Sequence, residues 1–407
     1  MALAQSLLPM TDTQVKIQRP SPQKLRRAVE RGPRARWWRR SGSKLSGFRY
    51  VDAQGRPIIE EAQLERIRAL AIPPAWTYVR ISPSPRSRLQ AVGVDTSGRL
   101  QYRYHAHFMA CQQEKKYARI EHFGERLPHL RHMTNVNIAE PGLSKERVLA
   151  VVIRLINDLY FRVGSEKSVR RYRTYGITTL RNRHLEIRPD GSLLFRFVGK
   201  HHIQQRRLIV APELTEVMRQ LKAVGGSLLF HYRDEHGHIH PVTPRDVNEY
   251  IKAACGPEFT AKDFRTWGGT LLAALALADM GNAESEKQIK KNLVQAVKRV
   301  AERLGNTPTV CRECYIHPVV FERYRQGMTL EDFRPKKERI IGHLDPEYHP
   351  EEIALLKLIR ACPDASAKAA EPGREHVSRA EAEERAGYSP SVGGTRSEEA
   401  IRANAAA

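Results

Sequence analysis

Five side chains in this sequence have types that can do chemistry together: Tyr315, Arg162, Arg265, Lys200 and Asn306. A phenol, two guanidiniums, an ammonium and an amide donor suit transfer of a phosphodiester to a tyrosine. That transfer passes through a pentacoordinate, phosphorane-like state whose charge sits on non-bridging oxygens, and rigid bidentate guanidiniums match it. The departing alkoxide leaves poorly unless protonated, and a lysine on a mobile hairpin can donate the proton. A tyrosine, with an ordinary pKa of about 10, attacks once its phenol is deprotonated or hydrogen-bonded.

Each candidate must be held by an element that the sequence also encodes. Tyr315 closes the stretch Gly305-Asn306-Thr307-Pro308-Thr309-Val310-Cys311-Arg312-Glu313-Cys314-Tyr315. Upstream, Ile289, Leu293, Val297, Val300 and Leu304 recur at helical spacing, and Gly305 is placed to end that helix. Thr307 is a good N-cap and Pro308 fits the first helical position, so Asn306 sits at a helix–helix corner and Tyr315 about two turns into the next helix. Taken alone, this stretch also reads as a helical hairpin with a buried tyrosine. Ser144 caps a helix whose Val148, Val152, Leu155, Ile156 and Leu159 face a core; its expected end near Gly164 puts Arg162 in the last turn. Short strands are expected over 184–187, 193–198 and 207–210. They place Lys200 at a hairpin tip, where Gly199 permits a tight turn and a close approach. Lys262-Asp263-Phe264-Arg265 opens an apolar helix running to about residue 280, and helices are also expected over 212–224 and 243–254.

Composition narrows the partner. The chain has 407 residues, 41% of them hydrophobic, with a formal charge of +23 and a pI near 10.0. That balance favours a polyanion, usually nucleic acid. No apolar run is long enough to cross a bilayer, and no basic segment precedes the short apolar run at the N-terminus, so neither a membrane span nor a signal peptide is expected. Five cysteines suit a reducing cytosol without a disulfide framework.

Five segments follow. Residues 1–47 read as a basic flexible arm, with twelve Lys/Arg against two acids in the first fifty. In it, Arg34-Ala35-Arg36-Trp37-Trp38-Arg39-Arg40 interleaves rings with guanidiniums, to bind phosphates or to dock the tryptophans on a neighbouring core. Residues 48–127 read as a small α+β, DNA-binding domain. It has a hairpin of 48–51 with 57–59, a helix carrying Leu64, Ile67 and Leu70 that stops at Pro73-Pro74, strands over 79–81, 89–94 and 100–104, and a helix from 106 to about 123. On the strand Gln101-Tyr102-Arg103-Tyr104-His105, Gln101, Arg103 and His105 share one face and Tyr102 and Tyr104 the other. A glutamine can read adenine and tyrosines can touch the sugar-phosphate backbone. Residues 128–335 read as a mainly helical catalytic domain, 336–362 as a helical extension with a helix over 350–361, and 363–407 as a disordered tail poor in large apolar groups. The histidine-rich stretch 234–240 reads as a solvated hairpin rather than a metal site. Cys311 and Cys314, without a second pair nearby, read as packing or incidental thiols.

The same residues carry a resemblance to type IB DNA topoisomerases of the compact bacterial and poxvirus branch. It rests on Phe161-Arg162-Val163-Gly164, Tyr175-Gly176-Ile177-Thr178-Thr179-Leu180-Arg181, Phe197-Val198-Gly199-Lys200, Lys262-Asp263-Phe264-Arg265-Thr266-Trp267-Gly268 and the Gly305–Tyr315 stretch. In the amino-terminal part, Gly47-Phe48-Arg49-Tyr50, Ile72-Pro73-Pro74-Ala75-Trp76 and Gln101-Tyr102-Arg103-Tyr104-His105 match too. Order and spacing together make the signal specific over roughly residues 40–335. The resemblance implies an α+β fold: a small β-rich N-terminal domain and a larger helical catalytic domain of the tyrosine recombinase/type IB topoisomerase kind, closing as a clamp around duplex DNA. It implies that Tyr315 forms a 3′-phosphotyrosyl bond and releases a 5′-hydroxyl, that Arg162 and Arg265 hold the non-bridging oxygens, and that Lys200 is the general acid. Asn306 stands where viral and nuclear members have histidine; it can donate a hydrogen bond to phosphate but cannot carry a proton. Gln101, Tyr102, Arg103 and Tyr104 fall on the DNA-contacting strand. A monomer relaxing supercoils in the bacterial cytoplasm, at the nucleoid, without ATP, metal or other cofactor, is the expectation. Gly199-Lys200 lacks the upstream glycine and following hydroxyl of a phosphate-binding loop, and no carboxylate cluster suits Mg²⁺. A tyrosine recombinase shares this chemistry, but its second arginine usually lies in H-x-x-R, where this chain reads K-D-F-R. A non-catalytic DNA-binding protein is the remaining alternative, resting on charge alone.

Overall fold

The computed structural model describes residues 21–335 and 349–361, all within the compact unit 1–361. Helix α1 (Pro22–Val29) leads into strand β1 (Trp38–Ser43), which turns back as β2 (Gly47–Val51). Helix α2 (Glu61–Ala69) and strands β3 (Thr77–Ile81), β4 (Leu89–Val94) and β5 (Leu100–Tyr104) complete an antiparallel sheet of order β2-β1-β3-β4-β5. One face packs Ile67, Val79, Ile81 and Ala91 against Trp38 and Trp76; the other packs Val29, Val92 and Val94 against Leu25 and Trp37. Strand β4 is covered on both faces, which is why it reads as a nearly continuous apolar run.

One expectation fails here and another holds in part. Residues 21–47 are not a flexible arm: they supply α1 and β1, and β1 sits inside the sheet between β2 and β3. The main partner of residues 48–51 is therefore β1, and the expected hairpin with 57–59 is present only in part, as an antiparallel bridge of Val51 to Pro57 and an Ile58 N–H bond to the Tyr50 carbonyl at 3.0 Å. The tryptophans dock on the sheet, and Arg40 donates to the carbonyls of Ile72, Pro73 and Trp76 at 3.3, 3.1 and 2.7 Å while covering the Phe48 ring. An arginine so engaged braces the Pro73-Pro74 loop instead of reaching for phosphate. Residues 1–20 lie outside the described residues.

Helix α3 (Ala106–Ala139) runs on through Pro128, well past the expected end near residue 123, so the segment boundary drawn at 127/128 falls inside it. Gly124 looked like a breaker, yet its missing side chain admits the Trp267 ring: a Cβ there would lie 2.3 Å from it. Helix α4 (Lys145–Leu159) starts at the Ser144 cap as expected but stops one turn early, because Tyr160 turns left-handed at φ 55°. Arg162 therefore lies in an extended segment after the helix, not in its last turn. A short helix α5 (Glu166–Tyr172), not anticipated, follows.

Strands β6 (Leu185–Ile187), β7 (Leu193–Val198) and β8 (Gln204–Ile209) form an antiparallel sheet of order β6-β7-β8. Helix α6 (Pro212–Val224), the ribbon of β9 (His231–Arg233) with β10 (Ile239–Pro241), and helix α7 (Pro244–Cys255) come next. In that ribbon Asp234 accepts from the backbone N–H groups of His236 and His238 and pairs with the His240 ring at 2.8 Å, a turn-stabilising arrangement. Helix α8 (Ala261–Met280) is buried on nearly every side, as its apolar sequence dictates. Around it pack α9 (Glu286–Leu304), α11 (Pro318–Arg325) and α12 (Pro350–Arg360), with α10 (Pro308–Cys314) against α9. The rest of the expected extension, and the tail 363–407, lie outside the described residues.

Glu352 of α12 ties this body together. Its buried carboxylate takes a two-pronged hydrogen bond from Arg131 of α3, at 2.6 and 2.8 Å, and the Trp267 indole N–H at 3.0 Å. Burial alone would raise the Glu352 pKa, but Arg131 and Trp267 outweigh it and hold the carboxyl below its ordinary value. Glu352→Ala takes the two-pronged carboxylate partner from the buried Arg131 guanidinium and should cost about 3–5 kcal/mol in denaturant unfolding. Because the folded pKa is the lower one, this stabilisation is fully present above the unfolded carboxylate pKa and is lost as pH falls through the folded value. Acid titration of stability should show that loss in the parent chain and lack it in the variant.

Candidate active site at the end of helix α9

The site is built on the last turn of α9 and the corner after it. Gly305 ends the helix in the left-handed region, φ +62°, which glycine tolerates without strain. Thr307 then caps α10 by accepting from the Val310 N–H, with Pro308 at the first helical position. The sequence reading of this corner holds, except that α10 stops at Cys314 and Tyr315 is its C-cap residue.

Both candidate arginines converge on this corner. Arg265, 4% exposed, donates to the Leu304 carbonyl at 2.8 Å and to the Tyr160 carbonyl. Arg162 donates to the Gly305 carbonyl at 3.2 Å and to the Asn306 side-chain oxygen. Its backbone is fixed from the other side: the Ile177 and Thr178 N–H groups bond the carbonyls of Arg162 and Val163 at 2.8 and 2.9 Å. A Cβ on Gly176 would lie 2.5 Å from the Arg162 carbonyl oxygen, so the close approach needs glycine there.

The corner gathers like charges. Burial pushes the Arg162 guanidinium down to about 10, and Arg265 adds to the effect. Burial also lowers Arg265, opposed by the nearby Tyr315 phenol. Arg207 of β8 is lowered by burial and then by Arg303 and Arg265. Buried donors lack partners at the same place: Nδ2 of Asn306 and Nε of Arg265 make no hydrogen bond within the protein. Clustered cations and unmet donors are what an anion would relieve.

Tyr315 is half-buried beside them, with the Arg265 guanidinium carbon 5.2 Å from its ring centroid. Its backbone is held on every side. Lys116 Nζ donates to the Cys314 carbonyl at 2.7 Å and the Tyr117 hydroxyl to the Ile316 carbonyl at 2.8 Å. The fully buried Thr270 hydroxyl donates to Thr266, lies 3.4 Å from the Tyr315 carbonyl and accepts from the His317 N–H at 3.1 Å. Burial holds His317 down to about 4, so it is neutral at pH 7. The neighbouring Cys311 thiol is buried and pushed up to about 11, which leaves it unreactive.

Lys200 stands apart from Tyr315. It is exposed at the tip between β7 and β8 and lines, together with Arg162, a cavity of about 700 Å³ that Arg99, Lys167 and Arg171 make strongly positive. The turn itself comes from His201 and His202 in left-handed conformations, whereas Gly199 has φ −90° and serves close approach instead. On β5, Tyr102 and Tyr104 are exposed, 41% and 42%, with ring centroids 6.2 Å apart. Gln101 and Arg103 turn back into their own domain, donating to Asp95 and to the Ala71 carbonyl, each at 2.8 Å. Sequence reasoning missed Lys116, Tyr117, Thr270 and Arg207: all act through backbone carbonyls far away in sequence, which leave no local pattern.

The family model described as eukaryotic DNA topoisomerase I, catalytic core, matches residues 105–340. That of the bacterial DNA topoisomerase IB N-terminal domain matches residues 47–95. The chain belongs to the type IB DNA topoisomerase family. It is 33% identical over 328 residues to DNA topoisomerase 1B of Acanthamoeba polyphaga mimivirus, a match covering 79% of this chain and 94% of that relative. To DNA topoisomerase I of Monkeypox virus it is 25% identical over 249 residues, 60% of this chain and 75% of the relative. Among topoisomerases of this type, the present chain is an isomerase acting on DNA, and among its described residues no helix is long and apolar enough to cross a membrane.

In this type IB topoisomerase, Gly269 on α8 is the tightest contact behind Tyr315: a Cβ there would lie 2.6 Å from the Tyr315 carbonyl oxygen. Gly269→Ala should shift the tyrosine and slow plasmid relaxation about 10²-fold, with DNA affinity and helical content retained. Gel relaxation, filter binding and circular dichroism check the three together.

Proposed function

We propose that Tyr315 is the nucleophile and that the Leu304–Asn306 corner is the cradle for the scissile phosphate. The phenol oxygen attacks phosphorus, the bond from phosphorus to the 5′-oxygen breaks, and a 3′-phosphotyrosyl link forms. The phenol proton leaves to solvent, and Lys200 protonates the departing 5′-oxygen. Arg162, Arg265 and Nδ2 of Asn306 hold the non-bridging oxygens as charge develops. The reverse steps reseal the strand after rotation; the link conserves the phosphodiester energy, so no ATP is consumed. The observation that carries this reading is the convergence of both arginines, unmet buried donors and the Tyr315 ring at one helix end.

We further read the sheet domain, residues 21–105, as the DNA-binding jaw and the helical body that follows it, residues 106–335, as the catalytic jaw of a monomeric clamp around duplex DNA, at the nucleoid in a bacterial cytoplasm. Support comes from the +23 charge and from contacts between the two parts. Arg99 donates to the Tyr172 hydroxyl at 2.7 Å, and Arg171 to the Ser97 carbonyl. Tyr102 and Tyr104, with Gln101 and Arg103 behind them, are the DNA-facing strand in this reading.

Supercoiled plasmid incubated in EDTA without ATP should be relaxed. Tyr315→Phe removes only the attacking oxygen, so relaxation and covalent adduct should vanish while DNA affinity stays. An adduct that persists and maps to another tyrosine would remove Tyr315 from the role.

Lys200 is tested with DNA carrying a bridging 5′-sulfur at the cleavage point, because a thiolate departs without a proton. Lys200→Ala should be slow on ordinary DNA by about 10²-fold and largely restored on the sulfur substrate. Arg162→Ala should gain little from sulfur. A Lys200 that only contacts phosphate would show equal defects on both substrates, with weaker and more salt-sensitive binding.

A further inference from the structure

Between the Lys200 hairpin and the Asn306 corner lies one buried side chain with no part in the chemistry above. Gln205 of β8 is 8% exposed and pairs in register with Phe197, two residues before Gly199. A Cβ built on Gly199 would lie 3.0 Å from Cγ of Gln205, and one built on Gly305 only 2.7 Å from its Nε2. The glutamine is thus packed between two glycines, one preceding Lys200 and the other preceding Asn306. Its amide donates to the Ile203 carbonyl at 3.5 Å, within the hairpin that the Gly199 N–H closes by bonding the same carbonyl at 2.8 Å. Two residues along the strand, Arg207 donates to the Arg303 carbonyl at 2.7 Å and so fastens β8 to the last turn of α9.

We propose that Gln205 is a positioning residue, a wedge that sets the Lys200 hairpin at a fixed separation from the phosphate corner. The proposal rests on the reading of Lys200 as general acid. The physical argument is packing: close-packed neighbours transmit a displacement of a fraction of an ångström, and proton donation tolerates little of it. Glycine on both sides lets the wedge touch backbone directly, so no rotamer change can absorb a loss of volume.

The test is single-turnover cleavage at saturating DNA, on ordinary and 5′-sulfur substrates. Gln205→Ala should be slowed at least about tenfold on ordinary DNA with unchanged affinity, and restored to near the parent rate on the sulfur substrate. Gln205→Met, similar in length and without the amide, should stay within about threefold of the parent, since volume is what the wedge supplies. Added to Lys200→Ala, Gln205→Ala should cost nothing more, because it acts through the lysine. If the alanine variant melts early, Gln205→Asn, one methylene shorter, is read in its place with the same outcomes. A Gln205→Ala rate near the parent, a defect equal on both substrates, or an additive loss in the double variant overturns the proposal alone. Lys200→Ala at the parent rate instead removes the general-acid reading, and this proposal with it.

Discussion

Helix α9 ends in open carbonyls, and the rest of the site depends on them. Leu304 and Gly305 have no following turn to accept from, so their oxygens carry the negative end of the helix dipole, an attraction worth about 0.3–2 kcal/mol to a nearby cation. That attraction holds two guanidiniums side by side that would otherwise repel and stay in water. Gly305 makes it possible by leaving the helix in the left-handed region, which turns the chain sharply into Asn306. The arginines are thereby oriented by groups that do not themselves take part in any reaction.

Helix α8 connects this helix end to everything else. Its first turn is anchored by Asp263, which caps Thr260 and pairs with Arg119 of α3 at 2.7 Å. One turn on, Arg265 reaches the corner; then Trp267 packs on Gly124, Gly268 faces the Tyr160 ring, and Gly269 and Thr270 support the Tyr315 backbone. The small residues are needed because three chain segments approach one helix within van der Waals distance. A Cβ at Gly268 would run into the Tyr160 ring and one at Gly269 into the Tyr315 carbonyl.

The parts of this arrangement that were legible in the sequence are those with local causes. Gly305, Thr307 and Pro308 announce the corner through cap chemistry, and the apolar run after Arg265 announces α8. Periodicity failed where tertiary contact overrode it. Gly124 looks like a helix breaker until Trp267 is seen to need the gap, and the basic residues 34–40 look like an arm until Arg40 is seen bonding four carbonyls of the Pro73-Pro74 loop. Arg162 was a candidate from its residue type but was expected on the wrong element, because nothing local foretold that Tyr160 would turn left-handed. Gln205 and Arg207 sit on an ordinary-looking strand; their partners lie about a hundred residues away.

Helix α12 separates two limits that are easily taken as one. The catalytic-core family match ends at residue 340, yet Glu352 supplies the buried acceptor for Arg131 and Trp267. The matched core therefore stops short of a helix that packs on α3 and α8 in this chain. A protein cut at the edge of that match would keep all five proposed reacting side chains and lose the carboxylate that Arg131 and Trp267 share.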